Sequence, residues 1–204
     1  MSSRTVDATA PADIKELQNQ LEVAEREAGA LVAGLSEEQG TGRTEAGSWS
    51  VAECLDHLAT ANRVYLGAMQ EPAHRARNHG RFRSRPARPG FVGRLFVSSL
   101  EPPPVWWSRL KAPRKIRPRT GPPLAEAFAS FVASQADVYA FLSANADLDL
   151  AAVRFPNPFV RGIWFSLATG LHVITAHERR HLWQGWGVRR AIEHADRQGS
   201  TAPR

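Results

Sequence analysis

The chain has 204 residues, with 26 Lys and Arg against 20 Asp and Glu, and a formal charge of +6. That length suits one domain with a real core, and its ordinary apolar content argues against an intrinsically disordered chain. No run approaches the roughly 20 apolar residues needed to span a bilayer, and Cys54, the only cysteine, excludes an internal disulfide or a multi-cysteine zinc or iron–sulfur site.

Residues 1–9 read as a flexible polar tail without an apolar signal core, so the cytoplasm is the expected location. The domain is expected over residues 10–192. A first helix is predicted over 12–35, where Ile14, Leu17, Leu21, Ala24, Ala28, Leu31 and Leu35 recur at three- and four-residue steps. Gly34 and the Gly40-Thr41-Gly42 stretch break it. Ser50 followed by Glu53 is a capping box that opens a second helix, with Trp49 placed to staple onto Cys54. The stripe Val51, Leu55, Leu58, Asn62, Tyr65 and Met69 carries that helix to about Pro72, with His57 on its flank. Cys54, inside it, reads as a packed thiol rather than a nucleophile.

Residues 73–121 form a long basic, proline-rich crossover between the second and third helices. Half of the chain's Lys and Arg lie there, with Glu101 as the only acid, so the basic character belongs to this insertion and not to the scaffold. Phe91 to Leu100 could form a helix of about two or three turns. The prolines from Pro102 onward remove backbone donors, so the remainder reads as extended chain. Its arginines either pair with acids on the first and third helices or form a rim that attracts carboxylates. No recognised nucleic-acid module accompanies them, and nucleic acid is not the expected partner.

A third helix is expected from about Pro122 to Asn145, with Leu124, Phe128, Phe131, Val132, Ala136, Val138, Tyr139 and Leu142 as its apolar face. Phe155-Pro156-Asn157-Pro158-Phe159 reads as a rigid turn. A fourth helix is predicted from about Arg161 to Trp186, then a short one from Arg189 to Asp196 and a flexible tail at 197–204. Four long amphipathic segments without strand alternation make the fold class all-α, a four-helix bundle.

His177-Glu178-Arg179-Arg180-His181 carries the chemistry. Two histidines four residues apart on a helix point the same way and suit two ligands of one metal ion. Three readings follow. In the first, the pair holds no metal. In the second, the chain is a zinc protease with Glu178 as general base, but Gly187 stands where an extended motif wants a histidine, and Glu193 is the remaining acid candidate so near the end. In the third, His57 supplies the missing ligand, and three neutral imidazoles leave a coordination position open for catalysis. His172 points to another face, while His74 and His79 read as surface residues. Trp106-Trp107, Trp164, Trp183 and Trp186 read as packing or interface residues.

Trp49-Ser50-x-x-Glu53-x-x-x-His57-Leu58, followed late in the chain by His177-x-x-x-His181-x-x-Gln184, resembles the DinB/YfiT-like metal-binding bundles. Lys111-Ala112-Pro113 and Asn157-Pro158-Phe159 fit the same resemblance. The resemblance implies an up-down-down-up four-helix bundle, a homodimer, and a divalent metal held by His57, His177 and His181. Glu53 and Gln184 are then candidates for orienting the ligand histidines. Zinc is the default ion, with nickel, iron or manganese as alternatives. Characterised relatives include bacillithiol S-transferases and mycothiol-dependent maleylpyruvate isomerases. The expected function is therefore activation of a low-molecular-weight thiol for transfer to an electrophilic small molecule. Two alternatives stand beside it: metal-dependent hydrolysis at the same histidines, and a metal-free module that holds an acidic partner on its basic loop.

Overall fold

The computed structural model describes residues 10–45, 47–103 and 112–200. Residues 1–9 and 201–204 of the expected tails, the Trp106-Trp107 pair and Lys111 lie outside them. The described chain is all-α apart from one small hairpin. Its helices are α1 (Ala12–Val32), α2 (Glu37–Thr41), α3 (Val51–Asn78), α4 (Phe91–Leu100), α5 (Leu124–Ala144) and α6 (Leu167–Ser200). The hairpin pairs β1 (Arg154–Pro156) with β2 (Trp164–Ser166) in antiparallel register, Phe155 opposite Phe165. Among the described residues no helix is long and apolar enough to cross a membrane.

Each boundary has a local cause. Ser50 Oγ accepts from Glu53 N–H at 3.1 Å and Glu53 returns the bond to Ser50 N–H at 2.9 Å, the expected capping box at the start of α3. Ser36 and Gln39 form a second box and open α2, a turn that the glycines around it conceal in the sequence. Three boundaries differ from expectation. Helix α3 does not end at Pro72 but continues to Asn78, because Ala73 and Ala76 pack into the same core as Met69 and outweigh the lost proline donor. The stretch expected to begin the fourth helix at Arg161 instead makes the hairpin. Phe155 and Phe165 bury there, and Ser166 Oγ then accepts from Thr169 N–H at 3.1 Å where α6 begins. Finally, α6 is one helix through Ser200, including residues 197–200 of the expected tail. Gly185 does not break it, since a Cβ there would meet Leu31 Cδ2 at 2.8 Å and glycine permits that close approach of α1.

The four long helices pack through named pairs. Gln18 meets Ser143 and Gln135 meets Leu21, so α1 and α5 are antiparallel. Asn62 meets Ser134 and Arg77 meets the Ala144 carbonyl, so α3 and α5 are parallel. His57 meets His177, and Met69 lies by Gly170, so α3 and α6 are antiparallel. Parallel neighbours such as α3 and α5 need a connection that returns the length of a helix, which is why the crossover is long. It is also anchored. Arg83 pairs with Asp13 of α1 at 2.6 Å, Arg119 with Glu126 of α5 at 2.6 Å, and Arg85 with Asp149 at 3.3 Å. Arg83, Arg85 and Arg119 thus meet acids outside the crossover, as the first of the two readings expects for them, while Arg117 borders a cleft.

Helices α3 and α6 approach closely at Gly170, where an added Cβ would lie 2.7 Å from Met69 Sδ and 2.8 Å from Phe155 Cζ. Gly170→Ala is therefore expected to lower stability by about 1–3 kcal/mol through overpacking, measured by urea denaturation. Asp13 gives a pH dependence. Burial alone would raise its carboxyl, but hydrogen bonds from Ala87 N–H and Arg83 outweigh burial and hold it below the ordinary value of 3.8. Its contribution is full above that value and is lost as pH falls through the folded-state pKa. The stability difference between wild type and Asp13→Asn should thus be largest near neutral pH and shrink in acid, as read from thermal melts across pH.

Candidate metal centre

His57 comes from the second turn of α3; His177 and His181 come from α6, one turn apart on one face. The antiparallel crossing of those helices brings the three rings together. Their ligating nitrogens all lie within 4.8 Å of one another, and His57 Nε2 is 3.1 Å from His177 Nε2. Nitrogens sharing a tetrahedral zinc at bond lengths of about 2.0–2.1 Å lie on the order of 3.3 Å apart, so the spacing fits one ion.

Hydrogen bonds aim the rings. His57 Nδ1 faces the carbonyl oxygen of Ile116, which can only accept, so Nδ1 carries the proton and Nε2 presents its lone pair. His181 Nδ1 lies 2.9 Å from Gln184 Oε1, which orients that ring in the same sense. The Trp49 ring stands 4.7 Å from that of His57 and 5.5 Å from that of His181, contacts that its expected place as a staple did not foresee. Burial drives His57 down to about 4, well below the usual imidazole value, against the opposing pull of the Ile116 carbonyl and Asp56. Burial first, and the neighbouring imidazoles second, also lower His177 and His181 well below 6.5. All three rings are neutral at pH 7, the form that ligates a metal.

The histidines sit in a cleft of about 1050 Å³. Tyr65, Phe96, Phe159 and Trp183 give it aromatic walls, and Arg117 and Arg180 border it. The Asn157 side chain accepts from Phe159 N–H at 2.8 Å and Val160 N–H at 2.9 Å, holding the turn that sets Phe159 against Tyr65.

A sequence profile of the DinB superfamily matches residues 20–184, a span that contains all three histidines and ends on Gln184. The chain belongs to the DinB superfamily. No curated protein and no solved structure gave a match. Membership and the histidine cluster together are compatible with metal binding in this DinB-superfamily chain.

Other candidate residues divide by what they touch. Glu53 bonds Ser50 N–H and forms an ion pair with Arg43, while the partner of His57 is the Ile116 carbonyl. No sequence pattern marks a carbonyl of a crossover as such a partner. His172 Nε2 lies 3.2 Å from the Ala87 carbonyl oxygen, away from the cluster, and His74 and His79 are exposed. Trp183 is exposed along the cleft instead of packed, Trp164 is exposed on the hairpin, and Trp186 packs against the core. Cys54 is a buried thiol, pushed by burial to a pKa beyond ordinary reach.

Glu178 is neither a solvated residue nor a general base beside the histidines. It is fully buried, turned into the interior, and accepts from Asn62 Nδ2 at 2.8 Å and Gln135 Nε2 at 3.3 Å. Burial raises its carboxyl to about 8 despite those two donors, so it is mostly protonated at neutral pH. The protease reading fails on this geometry. Glu178→Gln, which is neutral, similar in shape and keeps an acceptor oxygen for Asn62 Nδ2, should preserve the helical fold and leave zinc uptake at the wild-type level, measured by circular dichroism and elemental mass spectrometry.

Proposed function

We propose that this DinB-superfamily chain is an up-down-down-up four-helix bundle enzyme that uses a divalent metal to activate a low-molecular-weight thiol for transfer to an electrophilic small molecule. The observation that carries the reading is the convergence of three neutral imidazoles at the cleft. Helices α1 and α6 run one way and α3 and α5 the other, which supports the bundle topology.

A divalent ion held by His57, His177 and His181 supplies a Lewis acid that favours the thiolate over the thiol. The chain's own residues prepare the site for it. Ile116 and Gln184 orient the imidazoles, and Trp49 covers two of them. The cleft volume of about 1050 Å³ is at the upper end of small-molecule pockets, roughly 300–1,000 Å³, and suits a cosubstrate alongside an electrophile. Its aromatic walls offer apolar surface to a bound electrophile. Hydrolysis assisted by a carboxylate base finds no free carboxylate here: among the described residues that line the cleft, Glu53 is the only one, and Ser50 and Arg43 already engage it. That favours transfer over carboxylate-assisted hydrolysis.

Elemental mass spectrometry of untagged protein should find near one metal per chain in wild type and little in His57→Ala, with helical content retained. Metal-loaded wild type should then consume thiols in the presence of electrophiles, and His57→Ala should not. Full metal occupancy in His57→Ala would overturn the three-ligand site.

A further inference from the structure

The basic crossover supplies the hydrogen-bond partner of His57, the Ile116 carbonyl, and further contacts hold that segment in place. Ile116 lies in the short 3₁₀ turn Arg114–Ile116, with its side chain only 4% exposed. Three residues on, Arg119 is fastened to α3. Asp56 Oδ2 accepts from Arg119 N–H at 2.8 Å, and Asp56 Oδ1 accepts from Arg119 Nε at 2.8 Å. The anchors on the crossover, residues 116 and 119, thus meet the adjacent residues 57 and 56 in the second turn of α3.

Asp56 is the unexpected member. It is only 4% exposed, and a buried carboxylate costs free energy unless charged donors satisfy it. Both of its oxygens serve one residue of the crossover. It precedes His57 directly, so it faces a different side of α3 and touches neither the cleft nor a partner ring.

We propose that Asp56 and Arg119 are positioning residues of the metal centre: by latching the crossover they hold the Ile116 carbonyl on His57 Nδ1 and fix the tautomer that offers Nε2 to the metal. A neutral imidazole without such an acceptor distributes its proton over both nitrogens, and the form protonated on Nε2 cannot ligate through that atom. Outer partners of metal ligands act in this way, and their loss typically weakens metal binding by roughly 10–100-fold. The affinity effect rests on the three histidines being ligands, as proposed above; the tautomer effect does not.

The test uses nitrogen-15 correlation spectra of the histidine rings in the full, metal-free chain at pH 7, together with zinc affinity from chelator competition. Wild-type His57 should carry its proton on Nδ1. Asp56→Ala should release it into a mixture of tautomers and weaken zinc by roughly 10–100-fold. Arg119→Ala, at a half-exposed side chain that keeps its backbone N–H, should shift both readouts in the same direction by less. Glu126→Ala, which removes only the outer partner of Arg119, should change neither. If Asp56→Ala does not fold, Arg119→Ala decides. A folded Asp56→Ala or Arg119→Ala with the wild-type tautomer and wild-type zinc affinity overturns the proposal. A released tautomer in a chain whose wild type takes up no zinc upholds the latch and overturns the metal reading instead.

Discussion

The structure depends on the antiparallel seam between α3 and α6. At one end Gly170 lets α6 approach Met69 and Phe155 so closely that any Cβ would collide. About two turns of α6 further on, the same seam brings His57 to within 3.1 Å of His177. Helices are stiff rods with a rise of about 1.5 Å per residue, so a shift at Gly170 is carried to the histidines almost undiminished. The geometry of the histidine cluster is tied to apolar packing elsewhere along the seam.

Helix α6 serves two purposes on adjacent residues. His177 and His181 face the cleft, while Glu178, about 100° further round the helix, faces the interior and meets Asn62 and Gln135. Those polar contacts tie α3, α5 and α6 together at the level of the histidines. Burial pushes the neighbouring groups in opposite chemical directions but to one result: the imidazoles lose their protons, the carboxyl keeps its own, and the interior carries little charge at neutral pH.

The crossover changes meaning once it is seen in place. Of the two readings its charge allowed, pairing with acids outside the crossover accounts for Arg83, Arg85 and Arg119, which meet Asp13, Asp149, Asp56 and Glu126. These pairs give direction to a connection that would otherwise be free to wander, and they end at the wall of the cleft. Exposed pairs such as Arg119 with Glu126 add little stability on their own. Their value lies in where they put the backbone.

The sequence by itself determined that there are four long helices, the capping box at Ser50 and Glu53, and the pairing of His177 with His181, because helical periodicity and end chemistry are set within a few neighbouring residues. The order of motifs around His57 also pointed to the family. The meeting of His57 with the other two was decided only by tertiary structure, as were the burial of Glu178, the continuation of α3 past Pro72, and the replacement of an expected helix start by a hairpin around Phe155 and Phe165. Each of these depends on which residues distant in sequence pack against a segment, and apolar packing can override a local preference. The Ile116 carbonyl is the clearest case: every residue has one, and only the fold places this one on a histidine ring.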